Sequence, residues 1–437
     1  MDLQNIQDQL NTEFANENRR ITMYDVYLKE IKIENVRHLR DVTIPICESK
    51  KNLIITGRNG SGKTSLLQAI AGHLNYLTTQ GAFDELEKNI SAYRRNVEKF
   101  KKDENLQSGL LAQENTLEYF ETQYKNAKCG LSIIFNVLNS LLAVPFSKGE
   151  FIVAFYEATR KFDAVIPKHV EKISLKDNYT INESPRNEFV KYVLDLKMTE
   201  ALASTSGKDE KAEQIHRWFN NFEELLKRIF DDESVRLTFD EESFAFAIHQ
   251  DGKEPFNFNE LSDGYAAILD IVVDLMIRME KHLKGGLSFD LPGIVLIDEI
   301  ETHLHLELQK NVLDFLMSVF PNIQFIVTTH SPFILNSARN SVIYDLENRT
   351  LVKDGLTDLS YEGVVKGYFE VDDLSRELRT KFDRYRELTG KIELSDEEIE
   401  EMANIEMYLD EIPDYLELKI SSEYRRMKAD FEKREDL

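Results

Sequence analysis

The sequence predicts an α/β fold in which mixed β-sheets are flanked by helices, with a helical insertion and a helical C-terminal extension. Three observations predict it. Strand-like apolar stretches fill residues 24–56 and return, alternating with helical patterns, in residues 258–334. A charged, helix-forming segment separates them at residues 82–128. The chain ends in acidic helical sequence, with eleven Asp or Glu against one lysine in residues 391–417.

The first elements have the pattern of strands, a glycine loop and a helix. Apolar residues alternate in "YLKEIKIENV" and "DVTIPI", and "NLIIT" is a short apolar run, so strands are expected before residue 57. The stretch "KTSLLQAIAGHL" then has a helical pattern. Within residues 82–128 apolar residues recur at spacings of four and three for barely two heptads. This predicts a helical lid or short coiled-coil hairpin rather than a long arm.

Strands are expected again at residues 150–155 and 235–249, separated by a polar, exposed connection at 163–217. The apolar run at 130–146 is interrupted by Ser and Asn and is shorter than the roughly 20 residues of a membrane span. It is predicted to be a buried strand plus helix. The predicted regions are an N-terminal extension at 1–23, a first α/β segment with the glycine loop at 24–80, a helical lid at 81–129, the remainder of the first lobe with the polar connection at 130–257, a second α/β lobe at 258–345 and an acidic helical region at 346–437.

Composition excludes some classes of function. The formal net charge of −24 argues against a protein that coats DNA or an anionic membrane with its whole surface, although a local basic groove stays open. Two cysteines, Cys47 and Cys129, are too few for a disulfide framework or a thiolate metal site. The first 20 residues lack the apolar core of a secretory signal. We therefore expect a cytoplasmic protein without membrane association.

The stretch "GRNGSGKTS" at residues 57–65 matches the phosphate-binding loop G-x4-G-K-T, and it lies between a strand and a helix as that loop requires. Glycines let backbone N–H groups surround the phosphates, and the positive end of the following helix adds to the attraction. Lys63 supplies a point charge to the β- and γ-phosphates, and the Thr64 hydroxyl can ligate Mg²⁺. The candidate nucleotide-binding residues here are Gly57, Arg58, Asn59, Gly60, Ser61, Gly62, Lys63, Thr64 and Ser65.

A second candidate element is "GIVLIDEIETHLH" at residues 293–305, an apolar strand that ends in two carboxylates. In the expected geometry Asp298 holds Mg²⁺ through water, and Glu299 orients and polarises the water that attacks the γ-phosphate. Many buried strands end in acidic residues, so this motif alone is only moderate evidence for a nucleotide site. It becomes strong evidence because the phosphate loop occurs in the same chain.

Two further stretches complete the candidate set. In "LSDGYAAIL", Ser262 and Gly264 fall at a helix N-terminus, where a hydroxyl and a bare backbone can contact a phosphate, although L-S-x-G is also a common helix cap. In "FIVTTHSPFIL", His330 follows a buried strand, where it can sense the γ-phosphate. A histidine in such a place is more often a structural one.

The order of these four motifs resembles the SMC/RecF-like branch of ABC-type ATPases, in particular stand-alone ATPases with a D-E-x-E-x-H-L-H signature. Several of these occur in bacterial anti-phage operons of the Septu, retron and PARIS kinds, and others are fused to the nuclease of OLD-type proteins. The resemblance covers roughly residues 24–80 and 255–345. It implies an ABC-type P-loop ATPase head with Walker A at Gly57–Thr64, signature at Leu261–Gly264, Walker B at Asp298 and Glu299, and a switch histidine at His330.

The resemblance also implies a mode of action. In such proteins the signature of one head contacts the ATP held by the Walker A loop of another, so two heads close on two nucleotides. This implies that the chain is an ATPase that uses ATP and Mg²⁺, forms a homo-oligomer of paired heads, and hydrolyses ATP poorly as a monomer.

Some positions depart from the family pattern or have no assigned role. Proline is usual after "HLH" in these ATPases, whereas this chain has Leu306. Glu157 and Arg160 in "FYEATR" are the candidates for the position of the Q-loop glutamine. His303 and His305 invite a metal interpretation, but in the family this segment lies at the contact between heads.

Arg37 and Arg40 in "ENVRHLRD" are equally suited to reach a nucleotide or DNA and to be solvated arginines at a strand end.

Three functions remain open at this stage. The first is the sensor ATPase of an anti-phage defence system that controls a separate effector, most often a nuclease. The second is a RecF-like repair clamp that binds duplex DNA. The third is an ATP-switched scaffold without nucleic acid. The acidic composition favours the first, because a DNA clamp normally carries a basic groove and acidic helices suit docking to a basic partner. The best basic patch is "YRRNVEKFKK" at residues 93–102.

An intrinsic nuclease is not expected. OLD-type relatives append an acidic metal-binding domain after the switch histidine, whereas residues 336–437 show no apolar strand ending in glutamate and no later D-x-D. The effector is therefore expected in trans.

Overall fold

The computed structural model divides the chain into two compact units, Met1–Tyr361 and Glu362–Leu437. The predicted extension at 1–23 lies outside the described residues. These are 26–81, 83–103, 106–160, 167, 169–282, 289–337, 339–353, 355–356, 376–391, 394–410 and 418–432.

A six-stranded sheet forms the centre of the first unit, with the strand order β11-β10-β3-β9-β8-β5. The five strands from β10 to β5 are parallel, and β11 pairs antiparallel with β10. Four of the five are buried along their whole length, which explains their continuous apolar sequences. Its strands are β3 (Asn52–Thr56), β5 (Ile152–Tyr156), β8 (Gly293–Ile297), β9 (Ile323–Thr328), β10 (Ser341–Asp345) and β11 (Thr350–Val352).

Two smaller antiparallel sheets accompany it, with the orders β2-β1-β4 and β6-β7. In the three-stranded sheet, alternate residues of β1 such as Ile31 and Ile33 are buried, which matches the alternation in its sequence. The mixed α/β fold predicted from the sequence is therefore confirmed. The remaining strands are β1 (Leu28–Val36), β2 (Leu39–Pro45), β4 (Leu131–Phe135), β6 (Arg236–Asp240) and β7 (Ala245–His249).

The first unit also contains nine described α-helices, some of which pack against the six-stranded and three-stranded sheets. α1 is buried between the six-stranded and three-stranded sheets, and its Leu66, Ile70 and Leu74 are fully buried there. α7 is buried along almost its whole length. The helices are α1 (Lys63–Thr79), α2 (Asp84–Lys102), α3 (Gln107–Lys128), α4 (Ala143–Ser147), α5 (Phe189–Thr205), α6 (Asp209–Phe230), α7 (Asp263–Glu280), α8 (Leu306–Val319) and α9 (Pro332–Ser337).

The predicted helical insertion consists of the pair α2 and α3. Contacts between Glu87 and Tyr124, Arg94 and Glu121, and Lys101 and Glu114 run in opposite directions along the two helices, so the pair is an antiparallel hairpin. The apolar run at 130–146 forms β4 and the short helix α4, as its sequence predicts.

The exposed connection predicted over residues 163–217 is wrong for its second half, where the structure has α5 and the start of α6. Both helices bury an apolar face, for example at Phe189, Ile215 and Trp218. In α6 the buried apolar residues recur at spacings of three and four up to Phe230. Most of this pattern lies beyond residue 217, where the predicted polar connection ends. The stretch therefore contains the whole of α5 and only the first turns of the amphipathic helix α6.

Strand β10 follows His330 and lies beyond the residues 258–334 for which the sequence predicts strands and helices. It is a fully buried strand that ends at Asp345, and it pairs with β3, so it belongs to the sheet of the head rather than to an appended domain. Pairing with β11 extends this sheet to Val352, seven residues past the boundary predicted at 345.

The second unit is described through three helices, α10 (Arg376–Gly390), α11 (Asp396–Asp410) and α12 (Leu418–Glu432). They share a small apolar core that includes Tyr385, Ile405 and Tyr424. The guanidinium of Arg384 in α10 donates a bidentate pair of hydrogen bonds to the carboxylate of Glu401 in α11.

No helix in the described ranges is long and apolar enough to cross a membrane.

Candidate functional site

The predicted site residues gather where the parallel strands of the central sheet end. The carboxyl ends of β3, β9, β8 and β5 meet at one edge, because these strands are parallel neighbours in that order. Ligands of open α/β sheets bind in the crevice at this edge. The phosphate loop follows β3, the segment with His330 follows β9, and the pair Asp298 and Glu299 follows β8.

The phosphate loop has the backbone conformation that its glycines allow. Gly57, Gly60 and Gly62 have φ angles of 135°, 85° and 99°, in the region that side chains with a Cβ rarely adopt. Gly62 precedes the first residue of α1, so the unpaired N–H groups of the helix begin at the loop. A Cβ added at Gly62 would meet the ring of His38 at 3.1 Å, which gives this glycine a second reason to be bare.

Lys63 lies inside this loop. Its side chain is 5% exposed, and its Nζ donates hydrogen bonds to the carbonyl oxygens of Gly57 at 2.9 Å and Arg58 at 3.1 Å. Burial lowers the pKa of the Lys63 ammonium, and the negative charges of Glu299 and Glu301 oppose that shift. Residues 298–301 after β8 form an acidic turn, and Lys63 is close enough to this turn to interact with it electrostatically. Thr64 beside it is exposed.

The acidic turn is held by a threonine from the neighbouring strand. Thr328, the last residue of β9, donates from Oγ1 to Oδ1 of Asp298 at 2.6 Å and accepts the backbone N–H of Glu299 at 2.7 Å. Asp298 is 2% exposed. One carboxylate oxygen of Asp298 is thus occupied by Thr328, which orients the other.

Arg160 holds the same turn from the opposite side. Its guanidinium donates to the carbonyl oxygens of Asp298 at 2.7 Å, Glu299 at 2.9 Å and Ile300 at 3.3 Å. Glu157, the other candidate for the Q-loop position, contributes its carbonyl oxygen to Arg160 at 3.2 Å. The structure therefore places Arg160, rather than Glu157, in contact with the turn.

His330 and Glu301 face each other across this edge. The backbone N–H of His330 donates to Oε1 of Glu301. Burial lowers the pKa of the His330 imidazole, and the nearby charge of Lys63 lowers it further. The charges of Glu301, Glu299 and Asp298 oppose this shift, so the ring interacts with the same acidic groups as Lys63.

Sequence reasoning missed several residues at this edge. Thr328 and Glu301 stand inside the motifs "TTH" and "DEIE", but their roles depend on which strands are neighbours. Glu347 follows β10 and accepts the backbone N–H of Arg58 at 3.2 Å. His38, in the turn between β1 and β2, contacts the carbonyl oxygen of Ser61 through Nε2 at 3.0 Å.

The predicted signature lies at the N-terminus of α7. Ser262 is exposed at the N-terminus of α7 and makes no capping hydrogen bond with its side chain. Gly264 is buried, and a Cβ there would meet the carbonyl oxygen of His303 at 3.1 Å. Within the described part of the chain, no hydrogen bond or ion pair joins Ser262 to the phosphate loop.

The remaining candidates are on the surface. His303 and His305 are exposed, as are Arg37 and Arg40 in and beside the turn between β1 and β2. No cluster of three or more His, Cys, Asp or Glu side chains suited to hold a metal ion is found among the residues that the structure describes.

The chain is similar in sequence to known proteins. Residues 178–336 match the model of the family AAA_21, described as AAA domain, putative AbiEii toxin, Type IV TA system. The chain is 27% identical over 400 residues to the Septu protein PtuA of Bacillus mycoides (strain KBAB4), covering 87% of this chain and 50% of that protein. It therefore spans about half the length of this relative.

Two retron proteins are also similar. The match to the Retron Ec83 probable ATPase of Escherichia coli is 33% identical over 181 residues, covering 40% of this chain and 33% of that protein. The match to the Retron Vc95 probable ATPase of Vibrio cholerae serotype O1 biovar El Tor is 24% identical and covers 74% of this chain and 77% of that protein.

Among solved structures, an SMC head bound to the C-winged helix domain of ScpA matches at 16% identity with a TM-score of 0.37, covering 78% of this chain and 99% of that chain. The SMC head domain from Thermotoga maritima matches at 14% identity with a TM-score of 0.33, covering 72% and 94%. Because these scores are low, the fold assignment rests on the strand order given above. The sequence comparisons show that residues 178–336 match the AAA_21 domain and that the chain is related to Septu PtuA proteins and to retron probable ATPases.

Proposed function

We propose that this edge of the sheet binds and hydrolyses ATP. The support is the convergence of the Lys63 ammonium, the Asp298 and Glu299 carboxylates and the His330 ring around one glycine loop. In this proposal the loop N–H groups and Lys63 hold the β- and γ-phosphates, and Glu299 polarises the attacking water. His330 contacts the γ-phosphate through a hydrogen bond.

The oxygen ligands present suit Mg²⁺, which prefers oxygen and keeps several waters. The exposed Thr64 hydroxyl would contact the ion directly, and the free carboxylate oxygen of Asp298 would hold it through water. The ion would neutralise charge on the phosphates during transfer. Thr328 fixes the direction of the Asp298 carboxylate whether or not the ion is bound.

We further propose that the site is completed by a second copy of the chain. The observation that carries this is that Ser262 is exposed at the positive end of α7, where its side chain makes no capping hydrogen bond. Among the described residues, no hydrogen bond joins it to the phosphate loop of its own head. A helix N-terminus with a free hydroxyl is suited to a phosphate. Two heads that face each other would bring each Ser262 to the nucleotide held by the other.

A mixing experiment tests the shared site. Lys63→Ala removes phosphate binding from one head, and Ser262→Arg blocks the signature of the other; each variant alone is expected to show background ATP turnover. Mixed together, they should recover roughly a quarter of the wild-type turnover, because half of randomly formed pairs are mixed and each holds one intact site. In that pair the arginine faces the defective Lys63→Ala loop.

The control mixes Lys63→Ala with Glu299→Gln. Lys63 and Glu299 lie in one head, so no mixed pair contains an intact site and turnover should stay at background. If the Ser262→Arg mixture also stays at background while mass measurement shows mixed pairs, the site is not shared. Loss of ATP binding by Ser262→Arg alone would point to the same conclusion.

For the biological role we propose the sensor or regulatory ATPase of an anti-phage system that controls a separate effector, with a nuclease as the expected effector. The relatives named as Septu and retron proteins support this assignment. The exposed face of α11 supports a basic partner, since Glu397 and Glu400 lie there beside the exposed apolar side chains of Ile399 and Met407.

A repair clamp on duplex DNA is the alternative, and the hairpin is the element that would carry it. Its basic residues are partly neutralised within the hairpin, because Arg94 pairs with Glu121 and Lys101 pairs with Glu114. Such pairing reduces the positive potential that a clamp needs. The structure therefore adds weight to the effector-controlling role.

The effector proposal is tested by the particle purified from the native operon as the Glu299→Gln variant with ATP present. We expect several copies of the ATPase with a co-purifying protein, and we expect Glu397→Lys with Glu400→Lys to release that protein without changing ATP turnover. The matched control reverses two exposed acids in the β6–β7 turn, Glu241→Lys and Glu242→Lys. An ATPase dimer that carries no other protein and is retained on duplex DNA with steep salt dependence would favour the repair clamp.

A further inference from the structure

Arg160 satisfies a stretch of backbone that leaves the sheet. After β8, the carbonyl groups of residues 298–300 turn away from the strand ladder, and a buried carbonyl without a partner is costly. Arg160 is 5% exposed, and its planar fork reaches all three of these carbonyls. Thr328 meets the N–H side of the same turn.

The turn needs this support because Glu299 is in an unfavourable conformation. Its φ of 44° is in the left-handed region, which residues with a Cβ adopt rarely. Such conformations persist when surrounding contacts determine them, and they cluster at functional positions. Arg160 is one of the contacts that hold the backbone of Glu299 in this conformation.

Arg160 has one hydrogen-bonding group left over. Its Nε is buried and finds no hydrogen-bond partner among the described residues. Asp270 of α7 is 0% exposed, and neither of its carboxylate oxygens accepts a hydrogen bond within that same part of the chain. Arg186 lies 2.8 Å from Oδ1 of Asp270, but not in hydrogen-bonding geometry. Two buried groups of opposite charge are thus incompletely satisfied.

The two groups lie on neighbouring parts of the fold. Tyr156, four residues before Arg160, donates from its hydroxyl to Asp274 at 2.8 Å, and Asp274 is one turn of α7 from Asp270. Burial lowers the pKa of the Arg160 guanidinium, and the charge that opposes this shift most strongly is that of Asp270. Burial raises the pKa of Asp270 to about 6, against the charges of Arg186 and then Arg160. Buried polar groups left without partners cost free energy, so a small displacement that joins them would be favourable.

Asp270 connects this pair to the signature. It lies eight residues after Ser262 on α7, about 12 Å along one rigid helix at 1.5 Å per residue. Gly264, at the start of that helix, packs against the backbone of His303 and Leu304 in the segment that follows the acidic turn. A displacement of the N-terminus of α7 is therefore transmitted to Asp270.

We propose that Arg160 and Asp270 form a coupling pair that reports engagement of the signature to the turn that carries Glu299. Arg160 is a positioning residue in this scheme, and Asp270 sets its position. When a second head contacts Ser262, α7 shifts, Asp270 engages the Nε of Arg160, and the carbonyls of residues 298–300 move with the guanidinium. Glu299 then reaches its productive direction only in paired heads. This inference rests on the proposed head-to-head ATPase and explains how a single head would be kept slow.

The test neutralises Asp270 without changing its shape. Asp270→Asn is expected to lower kcat at saturating ATP at least tenfold, while the Kd for ATP of single heads, measured in a Ser262→Arg background, stays within twofold. A merely structural role would lower binding and thermal stability together with kcat. The matched control is Glu280→Gln, a buried acid on the same helix that bonds to Tyr192 and Trp218 instead, and it should keep kcat within twofold.

A double-mutant cycle tests whether the two residues act as one unit. Arg160→Met should lower kcat at least as much as Asp270→Asn, and the double variant should be no slower than Arg160→Met. If Arg160→Met does not fold, Arg160→Lys takes its place in the cycle. A kcat of Asp270→Asn within twofold of wild type, or a double variant whose loss is the product of the single losses, overturns the coupling.

The outcomes separate this inference from the proposed function. If Ser262→Arg and Glu299→Gln are inactive while Asp270→Asn turns over ATP normally, only the coupling pair is wrong. If Ser262→Arg or Glu299→Gln turns over ATP at the wild-type rate, the head-to-head ATPase itself is wrong.

Discussion

Glu299→Gln is expected to lower ATP turnover by about 10²- to 10⁴-fold, the range for removing a positioned general base, while ATP binding stays within about twofold. Glutamine has the same shape and can keep the contact with Thr302, whose Oγ1 lies 3.3 Å from Oε2 of Glu299. It loses the negative charge that polarises water. Bound ATP is then not consumed, so paired heads should accumulate and be seen as an increase in particle mass.

Glu301→Gln is the informative comparison, because Glu301 also interacts with Lys63 and lies beside His330. Its carboxylate accepts a backbone N–H, which assigns it to holding the switch segment rather than to activating water. We expect a smaller loss of turnover for Glu301→Gln than for Glu299→Gln. If Glu299→Gln turned over ATP at the wild-type rate while Glu301→Gln lost turnover, the water-polarising role would belong to Glu301.

The second large effect is expected for Lys63→Ala, which should weaken ATP binding by at least about 100-fold, since charged hydrogen bonds to phosphate are worth roughly 1.5–3 kcal/mol each. In the structure the Nζ of Lys63 bonds to loop carbonyls, so phosphates would replace these acceptors when ATP binds. Equilibrium binding of a fluorescent ATP analogue measures the loss.

The control for this variant is Arg58→Ala. Arg58 is exposed and its guanidinium lies 3.5 Å from Glu347, a surface ion pair of little worth. In the proposed site Arg58 contributes its backbone N–H, so its side chain can be removed with less than about a threefold change in the Kd. Equal losses for Arg58→Ala and Lys63→Ala would mean that the loop unfolds in both variants and that the ammonium has no specific role.

Several features of the head could be predicted from sequence because they are local. A run such as "NLIIT" followed by spaced glycines and a helical pattern needs no distant partner to be recognised. The same holds for the strand that ends in Asp298 and Glu299. Local patterns did not predict α6, because its apolar residues are spread over a longer stretch of sequence. They also did not predict β10, which lies late in the chain.

The contacts that hold the site were not predictable in this way. Thr328 acts on Asp298 because β8 and β9 are neighbours, and no spacing in the sequence states that pairing. Arg160 was one of two candidates for its position, and its three contacts with the acidic turn depend on β5 lying beside β8.

The sequence by itself determined the ATPase motifs, their order and the alternation of strands and helices, because each of these is encoded in residue types at short range. Only the tertiary structure decided which side chains meet. It brought Lys63, Asp298, Glu299 and His330 to one sheet edge and left Ser262 exposed. It also buried Arg160 and Asp270, because burial of these charges depends on how strands and helices from distant parts of the chain pack together.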